Sequence, residues 1–145
     1  MAKNIIKVTI ESNKPAYKKA LNEVAEAVLT RWGMQTESSA KNLCPVDTGL
    51  LRNSITWALA GQGTNITEYS DDDGNQIGTY SGQAPADWGK TPRHVHVGSN
   101  VEYAAYQELG TVKMRAQPYL RPAVEENKDW YRRVLDGELK KALTN

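Results

Sequence analysis

The sequence predicts an α+β fold: a mostly antiparallel sheet of about four strands, with a long helix from the N-terminal half, a short helix and a C-terminal helix packed on it. Three observations predict it. Apolar and polar residues alternate one by one over short stretches near residues 4–11, 55–60 and 94–98. Apolar residues recur every three or four positions over two long stretches, one before Cys44 and one after Pro118. Helices and strands are segregated, which favours helices laid on one face of an antiparallel sheet.

In the first strand, residues 4–11, Ile6, Val8 and Ile10 alternate with Lys7, Thr9 and Glu11. Ser12 or Asn13 can cap the next element, and Pro15 suits its first turn. Tyr17, Leu21, Val24, Val28 and Trp32 then form one stripe of a helix reaching about Leu43. Gly33 is expected to interrupt or bend that helix, after which Ala40 and Leu43 resume the stripe. Cys44-Pro45 ends it, because a residue before proline resists helical geometry. Asp47 and Thr48 are turn and cap residues, and Gly49 permits an unusual backbone angle. Ile55, Trp57 and Leu59 alternate with Thr56, Ala58 and Ala60 as a strand with one buried face.

Residues 61–93 depart from this pattern, with two Lys/Arg against five Asp/Glu and six of the eleven Gly. Segments near Ile66–Tyr69 and Ile77–Tyr80 suit a hairpin turning at Asp73-Gly74. Ser81–Pro92 reads as loop, and the whole region as an excursion that stays mobile until something packs on it. His94–Gly98 is a further strand. Asn100 can cap a short helix, Val101–Leu109, which Gly110 stops. Pro118 or Pro122 starts the last helix, whose stripe is Val124, Tyr131, Leu135 and Leu139. Residues 1–145 make a single domain.

The net charge of +1 gives no bulk attraction to nucleic acid or to an anionic membrane. No run approaches the roughly 18 apolar residues of a membrane span, so neither signal peptide nor anchor is expected, and synthesis in the cytoplasm follows. The single Cys44 excludes an intramolecular disulfide. It reads as a small packing residue, since nothing near it in sequence would activate a thiol. His94 and His96 share a strand face and could begin a metal site, but no Cys, Asp or Glu completes it at a recognisable spacing. Asp71-Asp72-Asp73-Gly74-Asn75 opens like a calcium loop. That loop needs Gly at its sixth position and Glu at its twelfth, where Gln76 and Gly82 stand. Two groups of basic residues are candidate nucleic-acid patches: Lys3, Lys7, Lys14, Lys18 and Lys19, and then Arg132, Arg133, Lys140 and Lys141. Acidic residues mixed among them favour a wet helix face. No nucleophile elbow, phosphate loop or HExxH zinc motif occurs, and no cofactor is expected.

Two segments carry a resemblance. The first is Pro45-Val46-Asp47-Thr48-Gly49-Leu50-Leu51-Arg52-Asn53-Ser54-Ile55. The second runs from Val97-Gly98 through Tyr103-Ala104-Ala105-Tyr106-Gln107-Glu108-Leu109-Gly110-Thr111 to Gln117-Pro118-Tyr119-Leu120-Arg121-Pro122-Ala123. Together they resemble the minor tail component, or tail-completion, family of long-tailed double-stranded DNA phages. Tyr119 stands where that pattern often has Phe, and residues 61–93 depart from it.

The residues themselves suggest scaffolding roles. Arg52 is expected to pair with a carboxylate such as Asp47 or Glu108. Tyr103, Tyr106 and Leu109 are expected to lock the short helix on the sheet. The resemblance singles out Asp47, Thr48, Gly49, Arg52, Ser54, Tyr103, Tyr106, Glu108, Gly110, Pro118, Arg121 and Pro122 as structural or interaction positions, none catalytic.

The resemblance implies a non-enzymatic virion protein that joins a ring, usually of six copies, at the head-proximal end of the tail. Its partners would be head-closure or adaptor, tail-terminator and tail-tube proteins, with DNA passing through without sequence-specific binding and no membrane involved. A tail-terminator or head-closure component is the nearest alternative. A nucleic-acid-binding packaging or regulatory module, or a hydrolase built on His94 and His96, is more distant. Asp71, Asp72 and Asp73 are expected to serve a loop that faces the channel or docks a neighbour.

Overall fold

The structure, a computed structural model, describes residues 14–59, 66–80 and 94–144. The strand expected over residues 4–11, the capping role of Ser12 or Asn13, the basic residues Lys3 and Lys7, and the loop expected over Ser81–Pro92 lie outside the described residues. The described chain is α+β, with four helices and four short antiparallel strands.

Helix α1 (Lys14–Leu43) runs 30 residues without a break. Gly33 does not interrupt it, contrary to the sequence expectation. A Cβ at Gly33 would stand 2.8 Å from Val95 Cγ2 and 3.1 Å from the Trp57 ring. Glycine is therefore what lets the helix backbone approach the strands, and this contact offsets its cost of about 1 kcal/mol in helix propensity. Val28, Leu29, Thr36 and Ala40 are buried on the same helix, whereas Tyr17 and Leu43, at the ends of the predicted stripe, are exposed.

Helix α4 (Leu120–Thr144) lies antiparallel along α1. Asn127 donates to Ser39 Oγ at 2.9 Å, Trp32 stacks on Tyr131 with ring centroids 4.1 Å apart, and Arg31 approaches Glu138 at 4.0 Å. Rising numbers on one helix meet falling numbers on the other. The buried stripe of α4 enters at Ala123 and Asn127, and Val124 is exposed. The predicted stripe was thus displaced by one residue at its start, while Tyr131, Leu135 and Leu139 are half-buried as expected.

The strands form two separate ribbons among the described residues. Strand β1 (Thr56–Leu59) pairs with β4 (Val95–Gly98), placing Thr56 opposite Gly98 and Leu59 opposite Val95. Strand β2 (Glu68–Ser70) pairs with β3 (Ile77–Thr79), placing Glu68 opposite Thr79. The hairpin turns at Asp73-Gly74 as the sequence predicts. Gly74 has φ of 75°, and the Asp71 carboxylate accepts the Asn75 N–H at 2.7 Å.

This hairpin rests on its own chain. Asn53 Nδ2 donates to Ser70 O and Asn100 Nδ2 to Thr79 O, each at 2.9 Å. Tyr69 donates to Asn100 Oδ1 at 2.5 Å, and Tyr80 donates to Ser54 O. Residues 66–80 are thus tied to their own chain. Asn100 does not cap a helix at Val101. It ties down the hairpin, and the short helix α3 (Ala104–Leu109) begins three residues later than expected.

The main core sits where the end of α1, the five-residue helix α2 (Leu50–Ser54), α3 and the head of α4 converge. Ala40, Cys44, Leu51, Ile55, Ala104, Tyr119 and Ala123 fill it. Tyr119 and Ile55 are wholly buried, so one aromatic ring and one branched aliphatic side chain join four helices at a single point.

Candidate functional site

The turn from α1 into α2 carries the first motif. Cys44 closes α1 by donating its N–H to Ala40 O, and its thiol lies in the core. Burial pushes that thiol above its ordinary pKa, against the opposing charge of Arg52, so packing describes it better than reactivity. Gly49 takes φ of 86° at the head of α2. No side chain caps this helix firmly; Thr48 Oγ1 accepts the Leu50 N–H only at 3.4 Å.

Gly49 has a second reason to lack a side chain. A Cβ there would stand 2.3 Å from the Asp72 carboxylate. Asp72 is held by three hydrogen bonds, two of them to its carboxylate. Asp72 N–H donates to Thr48 O at 2.9 Å, Arg52 Nη2 donates to Asp72 Oδ1 at 2.5 Å, and Asn53 Nδ2 donates to the same oxygen at 3.1 Å. The partner of Arg52 is therefore Asp72, and neither Asp47 nor Glu108. Local spacing offered those two; the docked hairpin supplies a third carboxylate that lies closer.

The second motif forms α3 and the strap that follows it. Tyr103, Tyr106 and Leu109 do not lock α3 on the sheet: they are exposed by 39%, 57% and 78%, and Ala104 is the residue that faces in. Gly110 stops α3 as expected, with φ of 76° and its N–H on Tyr106 O at 2.8 Å. The strap then folds back so closely that a Cβ on Gly110 would meet Ala116 N at 2.7 Å. Gln117 N–H returns to Gln107 O at 2.8 Å.

Glu108 reaches across to the head of α4. It accepts the backbone N–H of Tyr119 at 2.7 Å, of Leu120 at 2.9 Å and of Arg121 at 2.9 Å. Burial by itself raises the pKa of this carboxyl. The three donors and the Arg121 charge together outweigh burial and hold it below the ordinary range. Pro122 occupies the first turn of α4, where no N–H is required, and Pro118 stands just ahead of the helix. The Arg121 guanidinium is exposed, 3.3 Å from Glu125.

These pieces enclose a groove of ≈ 520 Å³ on the protein surface. Pro45 to Gly49, Leu51 and Arg52 from the α1–α2 turn, Tyr103, Tyr106 and Gln107 from α3 and its start, and Thr111, Met114 and Gln117 from the strap line it. Six of the positions singled out in the sequence therefore share one groove: Asp47, Thr48, Gly49, Arg52, Tyr103 and Tyr106. Ser54 is not among them. It is fully buried, with its hydroxyl 2.6 Å from Leu51 O and 2.5 Å from Ser99 Oγ. Glu108, Gly110, Pro118, Arg121 and Pro122 position the strap and α4 behind the groove. In the hairpin, Asp71 is buried and closes the turn, Asp72 sits on Gly49, and Asp73 is exposed.

The groove holds phenols, amides, hydroxyls and one ion pair, with no nucleophile set beside a base. Burial raises the pKa of Tyr103, and the negative charge of Asp47 adds to that. Among the described residues no three His, Cys, Asp or Glu gather to hold a metal ion. His94, just ahead of β4, and His96, on it, are exposed, with ring centroids 6.4 Å apart. Exposed aromatic and apolar side chains around a shallow groove are what a protein-binding surface presents.

Sequence reasoning missed the role of Asn53, Tyr69, Tyr80 and Asn100, which together dock the hairpin. The one signal available was an aromatic at each end of the hairpin, and neither its partner nor its direction can be read from spacing.

Residues 8–110, well over half of the chain, match the family model HK97-gp10_like, described as "Bacteriophage HK97-gp10, putative tail-component". No curated protein and no solved structure matches the chain. Among the described residues no helix is long and apolar enough to cross a membrane.

Proposed function

The chain belongs to the HK97-gp10-like family of bacteriophage tail components, and from that premise we propose that it completes the neck of the particle. In this reading it forms a ring, six copies being the expected number, at the head-proximal end of the tail. It joins tail to head-closure or adaptor proteins and leaves a channel for DNA. It acts as a structural part of the virion and not as an enzyme.

The observation that supports this reading is the meeting of the two motif segments, some fifty residues apart, around one exposed groove. Motifs that served only folding would be expected inside the core. Here Tyr103 and Tyr106 point outward, while Glu108, Gly110 and Gly49 are spent on holding the walls in place. A ring needs unlike surfaces that meet head to tail, and an exposed, rigidly supported groove is one such surface.

The experiment is complementation of a phage that lacks this gene. Wild-type protein should restore joined particles. Tyr106→Ala, which removes an exposed ring without disturbing the core, should leave heads and tails separate. A reconstruction of the joined neck then decides position. Density for this chain at the head-proximal face of the tail supports tail completion. Density against the portal, with another protein between this chain and the tail, assigns it instead to the head-closure place. Its absence from the particle overturns the proposal.

A further inference from the structure

We propose that the groove face is self-complementary, and that the free protein pairs with a second copy of itself across it about a two-fold axis near Tyr103 and Tyr106. The inference goes beyond the neck reading and does not depend on it, because it concerns the chain before assembly.

The tyrosines at the start and middle of α3 supply an apolar contact. Tyr103 and Tyr106 are exposed by 39% and 57%, and Val46 beside them by 51%. Tyrosine side chains offer large, stiff contact area and lose little rotamer freedom on burial.

The charges beside the start and beside the end of α3 have opposite sign: Asp47 acts on Tyr103 at its start, and the strap lies against Gly110 at its end. At one end stand Asp47 and the hairpin turn with Asp72 and Asp73. Arg52 pairs with Asp72 there, so among these described residues three carboxylates against one guanidinium leave two negative charges. At the other end the strap carries Lys113 and Arg115 on either side of Met114, which lines the groove, leaving two positive charges. Helix α3 sets this order. Tyr103, at its start, feels the charge of Asp47, and Gln107, one turn on, receives the strap through Gln117. Among the described residues no ion pair within the chain engages Asp47, Asp73, Lys113 or Arg115.

A patch that is negative at one end, positive at the other and aromatic between can meet its own copy in one favourable way. A half-turn about the centre sets each acidic end on the partner's basic end and ring against ring. Superposing the ends without that rotation sets like charge on like. A closed pair hides the groove, so it must open before the same surface meets anything on the assembling particle.

The test is the mass of the purified full-length chain by sedimentation across concentration, at low and at moderate salt. Wild type should run as two copies, and more weakly as salt rises. Lys113→Asp with Arg115→Asp should weaken pairing about tenfold or more, because each reversal acts twice in a symmetric contact. Asp47→Lys with Asp73→Lys should do the same, and all four together should restore pairing. Tyr106→Asp should leave a monomer. Circular dichroism matching wild type identifies the variants that are folded, and all these positions are exposed. A wild-type chain that stays monomeric at every concentration, or runs as a ring mass, overturns the two-fold pair. So does a folded four-site variant that fails to regain it.

Discussion

Glu108 Oε2 accepts the backbone N–H of Tyr119 at 2.7 Å, so a residue of α3 holds the head of α4 from eleven positions upstream. The first four N–H groups of any helix lack a partner within it, and the helix dipole places positive charge there. One carboxylate satisfies donors at Tyr119, Leu120 and Arg121 and meets that charge. It also pins the strap that walls the groove.

Replacing Glu108 with Ala should therefore cost about 1–2 kcal/mol of stability, the range of a lost helix cap. Glu108→Gln should cost less, since it keeps one acceptor oxygen. Denaturant unfolding followed by circular dichroism measures both. A loss below a few tenths of a kcal/mol for Ala would show that water replaces the carboxylate without penalty.

The same carboxyl predicts a pH dependence. Its folded pKa is depressed, so its contribution is fully present above the unfolded value of about 4.3 and is lost as pH falls through the folded value. The difference in Tm between wild type and Glu108→Gln should be constant from pH 6 to 5 and shrink below about pH 4. A difference that grows on acidification would reverse the sign assigned here.

Two glycines should respond in opposite directions. Gly49→Ala combines a positive φ with a Cβ 2.3 Å from the Asp72 carboxylate, and should destabilise by about 2–3 kcal/mol. Gly137, exposed within α4, has nothing within 4 Å of a built Cβ, and Gly137→Ala should stabilise by about 0.5–1 kcal/mol. Paired melts of the two variants test the contrast.

Tyr119 should behave as a core ring with a nearly dispensable hydroxyl. It is wholly buried, yet its hydroxyl reaches Ala104 O only at 3.4 Å, and burial drives the phenol far above its ordinary pKa. Tyr119→Phe should change stability by less than about 1 kcal/mol, and Tyr119→Ala should cost about 3–5 kcal/mol. Equal losses for the two would place the energy in the hydroxyl instead.

Asn127 ties the two long helices through a buried amide that bonds Ser39 Oγ and Ala123 O. Asn127→Ala should cost about 1–3 kcal/mol, because it also strands the serine hydroxyl. Adding Ser39→Ala should then cost little more. A double-mutant cycle with no coupling would mean that the two side chains act independently.

Several features were legible because their cause is local. Residues 15–43 read as a helix from their three-and-four spacing, and Gly110 as a stop from its place after Leu109. The hairpin turn followed from Asp73-Gly74 between short apolar runs, and the two motif segments were plain in the chain. Other features were not legible because their cause lies elsewhere in space. Gly33 looks like a helix breaker until Trp57 and Val95 are seen against it. Asn100 looks like a cap until Tyr69 and Thr79 arrive from the hairpin. Arg52 had nearer carboxylates in sequence than Asp72, twenty residues on. Tyr103, Tyr106 and Leu109 share a helix face, but periodicity cannot say whether that face meets the sheet or the solvent.

From the amino acids alone came the α+β class, the long helices, the turn glycines and the likeness to phage tail components. Each is set by backbone preference or residue order over a handful of neighbours. Only the folded chain decided which carboxylate Arg52 holds, which side of α3 stays wet, and that the two motifs share one groove. Those outcomes depend on how distant segments compete for the same partner and the same volume, and that competition is resolved only when the whole chain packs.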